Sequence, residues 1–200
     1  MVQPELASES EQKLSAYRCA EIAGGHPDHF YYPASRIALA GQLAHAINTE
    51  GPIADAVLFR KVARAWGLAR TGKRIEERLR SLLPSNLVRT FEVEGDTIFY
   101  WPELSQPAQW QEFRVAGDSD DSKRQLSEIC SEELANLASF ILSEHGVTSV
   151  SELARTICRL QRIARTTADA EARIAHVLQV GRIKEFVQLV DGTVCLSKRF

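Results

Sequence analysis

The sequence has no long apolar run, no strong excess of charge of one sign and no repeated cysteine spacing. None of its 200 residues lies in a stretch that approaches the roughly 18 apolar residues of a membrane-spanning helix, and the N-terminus lacks the layout of a signal peptide. Twenty-four basic residues face 26 acidic ones, a net charge of −2, which excludes a uniformly basic nucleic-acid binder. The four cysteines share no pair spacing, so we expect reduced thiols and a cytoplasmic protein without membrane contact.

The sequence also has no recognisable motif for catalysis or metal binding. The five histidines are scattered, and there is no Gly-rich phosphate loop, paired-carboxylate pattern or nucleophile elbow. Cys19, His26 and His29 are metal-binding residue types, but their spacing matches no common zinc finger and a fourth ligand is missing. We therefore predict a protein that is not an enzyme and that carries no metal or other cofactor.

An internal repeat with an offset of 95 residues is the main positive feature. When Leu39 to Trp101 is aligned with the later copy without a gap, 14 of 63 pairs are identical, against about 4 expected from ordinary residue usage. The triplet Ala69-Arg70-Thr71, for example, recurs as Ala164-Arg165-Thr166. The sequence therefore contains two copies of one small unit.

Each copy is predicted to form three helices followed by a β-hairpin. In the first copy the apolar spacing indicates helices over 37–47, 55–66 and 75–83, with Thr71 as N-cap of the third, and then strands over 87–94 and 97–101 around a turn at Gly95-Asp96. The second copy predicts helices near 131–144, 150–161 and 167–179, the last capped by Thr166 or Thr167, and a hairpin over 182–197 turning at Asp191-Gly192. The predicted fold class is mainly α (α+β), with two tandem winged-helix units.

The expected organisation has four parts. They are an N-terminal tail and aromatic loop (1–33), winged-helix unit 1 (34–102), an acidic connector (103–126) and winged-helix unit 2 (127–200). Residues 14–23 are predicted to form a short helix, and the adjacent Phe30, Tyr31 and Tyr32 are expected to pack on unit 1 because they are too apolar to be left in water. Proline, glycine and an acidic run predict an exposed connector.

Positive charge is concentrated in residues 60–80, which hold eight basic and two acidic side chains, a local charge of +6. Winged helices usually insert the third helix into the major groove and lay the wing on the backbone. On a helical wheel, Lys73, Glu77 and Arg80 lie at the centre of the outward face of this third helix. We therefore predict a nucleic-acid interface, with DNA favoured over RNA, at Arg70, Lys73, Arg74, Arg80 and Arg89.

The third helix of unit 2 has lost these charges. Lys73, Glu77 and Arg80 correspond to Ala168, Ala172 and Ala175, which cannot grip phosphates but allow another chain to approach closely. The three alanines are therefore a candidate protein interface, buried against unit 1, a second copy of the chain in a homodimer, or a larger protein. Alanine is also the best helix former, so a solvent-facing helix is the alternative.

Four arginines recur in both copies, and their surroundings are basic only in the first. This favours an architectural role, in which Arg70 and Arg165 precede the third helices and pair with the repeated Glu76 and Glu171. The four recurring pairs are Arg60/Arg155, Arg64/Arg159, Arg70/Arg165 and Arg78/Arg173.

Several strings resemble a bacterial domain of unknown function, numbered 3320. They are G-P-I at 51–53, A-W-G-L-A-R-T-G-K-R-I at 65–75, E-G-D-T-I-F-Y-W-P at 94–102, F-R-V at 113–115 and S-E-I-C-S-E-E-L-A at 127–135. That family usually sits at the C-terminal end of very large bacterial proteins with a superfamily I helicase core and often a restriction-endonuclease-like domain. The resemblance, over roughly residues 36–136, implies that the chain is the tail of such a protein, with a helicase or nuclease core as partner in cis or in trans. It supplies no catalytic residues, and because the chain has no P-loop, any ATPase activity would lie elsewhere.

The sequence is compatible with two functions. One is a non-catalytic accessory module whose unit 1 binds nucleic acid and whose unit 2 docks on protein. The other is a protein-interaction or dimerisation scaffold without nucleic-acid contact. The local charge of +6 favours the first and the net charge of −2 favours the second.

Overall fold

The computed structural model describes residues 14–92, 96–180, 186–188 and 192–196, and the predicted α+β class is confirmed. In these ranges the chain forms six α-helices and eight short strands. In order they are β1 (Ser15–Ala16), α1 (Arg36–Glu50), β2 (Ile53–Ala54), α2 (Asp55–Ala65), α3 (Lys73–Arg80), β3 (Arg89–Glu92), β4 (Thr97–Tyr100), β5 (Arg114–Val115), α4 (Ser131–His145), β6 (Thr148–Ser149), α5 (Val150–Leu160), α6 (Ala168–Val180), β7 (Phe186–Gln188) and β8 (Thr193–Leu196).

The element bounds follow the 95-residue offset of the sequence. Helices α4 and α5 and strand β6 repeat α1, α2 and β2 at both ends, and α6 begins 95 residues after α3. Each half forms an antiparallel three-stranded sheet, in the order β2-β4-β3 in unit 1 and β6-β8-β7 in unit 2. The two units therefore share element order and strand pairing. The predicted tail at 1–13 and the turn residues Gly95 and Asp191 lie outside the described residues.

Each unit buries its own apolar cluster at matching positions. Leu39, Leu58 and Leu79 are inaccessible to solvent in unit 1, as are Leu134, Leu153 and Ile174 in unit 2. Ile37, the first residue of the helix predicted over 37–47, does not join the core and is 86% exposed. Ile37 precedes Leu39 by two residues, about 200° around the helix, so it points away from the core.

The start of α3 lies one residue later than predicted. Gly72, not Thr71, is the N-cap, and it makes no side-chain capping bond. The corresponding position in unit 2 is Thr167, whose Oγ1 accepts a hydrogen bond from the N–H of Ala170 at 3.2 Å. The cap position is thus shared by the two units, but only unit 2 has a capping hydroxyl there.

The predicted helix over residues 14–23 is wrong. This segment instead contributes β1, which pairs in parallel with β5 in the connector, and the N–H of Tyr17 donates to the carbonyl oxygen of Val115 at 2.8 Å. Tyr17 is buried. Its partner strand lies about a hundred residues further along the chain, so no local pattern could reveal the pairing.

The connector is not the exposed linker that its composition predicted. Phe113, Arg114, Arg124 and Leu126 are buried, and the N–H of Ala116 donates to the carbonyl oxygen of Leu160 in α5. The acidic and glycine-containing pattern marked irregular backbone correctly, but such backbone is buried where its polar groups find partners.

No helix in the described ranges is long and apolar enough to cross a membrane.

Candidate nucleic-acid interface

Helix α3 presents a charged face to solvent because its few apolar residues all face inward. Leu79 is fully buried, and Ile75 packs on the same core. On the outer side, the Lys73 side chain is 90% exposed and its Nζ lies 3.9 Å from Oε1 of Glu77, one helical turn away. Exposed pairs of this kind contribute little to stability, so Lys73 can exchange this carboxylate for another anion.

Half of the eight basic residues in the 60–80 segment are held by partners inside the protein. Arg60 pairs with Glu128 at 2.8 Å, and Lys61 pairs with the buried Glu50 at 2.7 Å. Nη2 of Arg78 donates to the carbonyl oxygen of Tyr32 at 2.9 Å, and Arg80 pairs with Asp55. The other four are exposed: Arg64, Arg70, Lys73 and Arg74.

Arg80 lies towards α2 rather than at the centre of the outward face. Its Nη2 is 2.9 Å from Oδ2 of Asp55, in the first turn of α2, and its guanidinium carbon lies 5.4 Å from the centre of the Phe59 ring. The Asp55 carboxylate therefore neutralises much of the charge that the helical wheel assigned to a ligand.

Arg89 lies near Arg80 but carries no ion pair among the described residues. Both arginines act on the hydroxyl of Tyr100: burial raises the pKa of Tyr100, and the two positive charges act in the opposite direction. The structure thus places Arg80 and Arg89 at one end of the candidate interface. Lys73 and Arg74 stand at the other end of α3, about 10 Å along the helix axis, and Arg70 lies just before that end.

A loop of aromatic residues, His26 to Tyr32, lies against the N-terminal part of α3; we refer to it as the aromatic loop. Phe30 is fully buried and meets Trp66 edge-on with ring centres 5.8 Å apart. The expected packing of this loop on unit 1 is thus seen at Phe30, whereas Tyr31 and Tyr32 stay 36% and 53% exposed. Arg74 places its guanidinium carbon 4.4 Å from the centre of the Tyr31 ring.

The three alanines of α6 have different environments. Ala168 and Ala172 are exposed and Ala175 is half-buried, so the described part of the chain does not cover the first two. Ala175 corresponds to Arg80, and Val150 corresponds to the Asp55 that pairs with Arg80. The ion pair of unit 1 is thus replaced by two apolar residues in unit 2. The loss of charge at position 175 is therefore explained by its neighbour in the same unit, without a partner outside it.

The predicted pairs of the recurring arginines are wrong. Neither Arg70 with Glu76 nor Arg165 with Glu171 is among the ion pairs of the described residues, and Glu171 accepts a hydrogen bond from Ser151 at 2.7 Å instead. Arg70 and Glu76 are close in sequence. Arg70 precedes the helix and is exposed, however, so the two side chains do not pair.

The architectural role belongs instead to another recurring pair. Arg78 donates to the carbonyl oxygen of Tyr32, four residues before α1, and Arg173 donates to that of Ile129, two residues before α4, at 3.2 Å. Each arginine ties the third helix of its unit to the chain entering the first. Arg173 also pairs with Glu92 of β3 at 3.1 Å, so it links unit 2 to the hairpin of unit 1.

Sequence reasoning missed a buried ionic cluster where the connector meets both units. Glu133 of α4, only 1% exposed, pairs with Arg114 and Arg124, each at 2.7 Å. Burial would raise the pKa of Glu133, but the two guanidinium groups outweigh it and hold that pKa at about 2. The signal in the sequence was the presence of Arg114 and Arg124, with Lys123, in a mainly acidic connector.

Arg114 also closes the end of the first helix. Its Nη1 and Nη2 donate to the carbonyl oxygens of three consecutive residues at 2.6 to 3.2 Å, namely Glu50, Gly51 and Pro52. A cation at a helix C-terminus and a carboxylate in a first helical turn are both favoured by the helix dipole, so Arg114 and Glu133 join the negative end of α1 to the positive end of α4.

The sequence positions with metal-binding side chains do not form a site. Cys19 donates from Sγ to the carbonyl oxygen of Asp121 at 3.1 Å, and Nδ1 of His26 accepts from the N–H of Asp28 at 3.3 Å. His29 stacks on Tyr32. In the part of the chain that the structure describes, no group of three His, Cys, Asp or Glu side chains could hold a metal ion.

Comparison with known families adds one match. Residues 28–77, 50 of the 200, match the model of the family described as Protein of unknown function (DUF3320). The family resemblance is confirmed for this segment. The DUF3320 segment contains most of the aromatic loop, α1, α2 and the first turn of α3, so it includes the N-terminal half of the candidate interface. Searches of curated proteins and of solved structures returned no match.

Proposed function

We propose that the protein is a non-catalytic accessory module of a helicase-like or nuclease-like protein, built of two tandem winged helices, in which unit 1 binds the nucleic-acid backbone. The element order helix, strand, helix, helix, strand, strand, with the first strand pairing with the last, supports this reading of each unit. The helicase or nuclease context rests on the resemblance of the sequence to the family.

The exposed cations at the N-terminal end of α3 carry the proposal. Arg70 and Lys73 are exposed; within the described residues Arg70 has no ion pair, and Lys73 has only the exposed one with Glu77 at 3.9 Å. Arg74 adds a third charge one residue further on, held against Tyr31. Three cations within five residues of a helix start are typical of a phosphate-contacting surface.

Charge reversal at Arg70 and Lys73 tests this function. In the proposed interface, the double variant Arg70→Glu/Lys73→Glu weakens binding of a 20-base-pair duplex and of a 20-nucleotide single strand. The slope of log affinity against log salt falls by about 0.9 for each lost contact on duplex DNA and about 0.7 on a single strand. Fluorescence anisotropy of labelled oligonucleotides at two or more salt concentrations measures both quantities.

The matched control is Lys123→Glu, which reverses a charge in the connector, where Lys123 pairs with the exposed Asp120. We expect Lys123→Glu to retain the affinity and salt slope of the parent. Equal binding by all three proteins, or no binding by the parent, would show that unit 1 is not a nucleic-acid-binding module.

Protein docking by unit 2 is the second part of the proposal, and exposure of Ala168 and Ala172 on α6 supports it. If unit 1 does not bind nucleic acid, the same exposed face supports a different function, a scaffold that only binds protein. The net charge of −2 is compatible with that alternative.

A further inference from the structure

The aromatic loop carries a short ladder of rings that unit 1 does not bury. The rings of His26 and His29 have centres 5.4 Å apart, and those of His29 and Tyr32 are 5.0 Å apart, tilted by 46° and 31°. All three residues are exposed. Phe30, which lies between them in sequence, points into the core and is fully buried.

The exposed rings of His29 and Tyr32 are not needed to hold the loop in place. Phe30 packs on Trp66, and Arg78 binds the main-chain carbonyl oxygen of Tyr32, so the anchoring contacts leave the side chains of His29 and Tyr32 outside. At the other end of the loop, the N–H of Gly25 donates to the carbonyl oxygen of Ala65 at 3.0 Å. The ladder therefore stands on a fixed backbone and loses little conformational entropy when a ligand stacks on it.

Positive charge lies at Tyr31, the residue that precedes Tyr32 in the loop. Arg74 sits over the Tyr31 ring, and Lys73 and Arg70 precede it at the start of α3. A ligand that stacks on Tyr32, the end ring of the ladder, and is also attracted by these cations must combine flat π faces with negative charge. Single-stranded nucleic acid has both, because its bases are unpaired and each nucleotide carries a phosphate.

A duplex fits this surface less well. In a duplex the bases are stacked on one another inside the helix and cannot reach protein rings without being unstacked. Proteins that bind single strands combine a basic groove with aromatic side chains on which successive bases stack. The ladder and the adjacent cations provide both elements within the aromatic loop and α3.

We propose that the aromatic loop is a stacking platform for single-stranded nucleic acid, with a base on Tyr32 at the end of the ladder, whose ring His29 supports, and phosphates on Arg74 and Lys73. This inference rests on the proposed nucleic-acid binding by unit 1 and specifies its ligand. Sequence preference is weak at such a platform, since every base has a π face.

Removal of single rings tests the platform. The probes are labelled oligo(dT) and mixed-sequence single strands of 20 nucleotides, and a 20-base-pair duplex, measured by fluorescence anisotropy with the full chain. We expect the parent to bind the single strands more tightly than the duplex. Tyr32→Ala and His29→Ala are each expected to weaken single-strand binding at least about fivefold and to leave duplex binding within about twofold.

The conservative variant Tyr32→Phe is the matched control, because it keeps the ring and removes only the hydroxyl. We expect it to bind single strands as the parent does. Melting temperatures of all variants check that the loop remains folded, and the exposure of both side chains predicts little change.

The possible failures are distinguishable. Tyr32→Ala and His29→Ala with unchanged single-strand affinity, or with equal losses on single strand and duplex, would overturn the platform, while charge reversal at Arg70 and Lys73 could still uphold nucleic-acid binding. A parent that prefers the duplex would also overturn it. Absence of binding to either probe would overturn both proposals.

Discussion

The carboxylate of Glu133 and the guanidinium of Arg114 meet at 2.7 Å in the interior, although the first belongs to α4 and the second to the connector. Arg124 closes the other side of the same carboxylate, and the guanidinium carbons of both arginines stack on the Tyr17 ring, at 5.0 and 4.1 Å from its centre. One carboxylate thus balances two buried cations.

Replacement of Glu133 by glutamine is expected to be strongly destabilising. The amide is nearly the same size, but it leaves two guanidinium groups buried without a counter-charge, and breaking a buried pair on one side typically costs about 3–5 kcal/mol. Urea titration followed by circular dichroism measures the change in the free energy of unfolding. Glu144→Gln, on the exposed part of the same helix, is the control and should lie within about 0.5 kcal/mol of the parent. Equal stability of the two variants would mean that the cluster contributes nothing.

Stability is expected to fall as the solution is acidified. The pKa of Glu133 is about 2, and that of Glu92 is also lowered because its hydrogen bonds with Arg173 and Ser131 outweigh the effect of burial. In the unfolded chain both carboxyl groups take ordinary values near 4.3, so the unfolded state binds protons first. The contribution of both groups is therefore complete above about pH 5 and is lost progressively as the pH falls towards about 2.

Thermal unfolding at half-unit intervals from pH 7 to pH 2 measures this dependence. In the Glu133→Gln variant the decrease below pH 5 should be smaller, because one of the two titrating groups is gone. An identical pH profile in parent and variant would contradict the assignment of the decrease to Glu133.

A methyl group at Gly25 is expected to destabilise unit 1. An added Cβ would lie 2.4 Å from the Trp66 ring, a distance that no real contact reaches, so the ring or the loop must move. Overpacking of this kind typically costs about 1–3 kcal/mol. Gly41→Ala is the matched control: nothing lies within 4 Å of its added Cβ, and alanine favours the middle of α1 by about 0.5–1 kcal/mol. The opposite signs of the two changes in melting temperature are the expected result.

An arginine at Ala172 distinguishes a solvent-facing α6 from a docking face. Because Ala172 is exposed within the chain, Ala172→Arg should change the free energy of unfolding of the monomer by less than about 0.5 kcal/mol. If α6 forms an interface between copies, the guanidinium prevents close approach, and sedimentation shows dissociation of the parent oligomer. Identical sedimentation of parent and variant as monomers would exclude the homodimer.

The sequence predicted four helices of the two units well because their apolar residues recur at helical spacing, whereas the helix predicted over residues 14–23 is wrong. The expected bounds of α1, α2, α4 and α5 agree with the structure to within a few residues, and the offset between the copies matches the offset between the elements. The third strand of each sheet was missed because β2 and β6 have two residues each and show no alternation. Their existence depends on pairing with β4 and β8, which no local pattern records.

The candidate interface was predictable in composition but not in geometry. The charge of the 60–80 segment is visible in the sequence, whereas the pairing of Arg80 with Asp55 depends on the approach of α3 to the start of α2. The ladder of His26, His29 and Tyr32 was likewise not predictable, because in the sequence the same residues indicate only an apolar loop or metal-binding side chains. Side chains three residues apart in a loop stack only when the backbone turns, as the short helical turn at Pro27–His29 makes it do.

The position of Arg114 determines where the chain can be divided into fragments that fold separately. Its hydrogen-bonding partners are the last carbonyl groups around the end of α1 and the first-turn carboxylate of α4, so it serves both units at once. A fragment that stops after β4 would keep every helix of unit 1 yet leave the carbonyl groups of Glu50, Gly51 and Pro52 and the ring of Tyr17 without the cation that covers them. A fragment starting at α4 would expose Glu133 without either arginine. The boundary for an isolated unit 1 therefore lies beyond Glu133, because Arg114 and Arg124 share its carboxylate, although the repeat itself ends near Trp101.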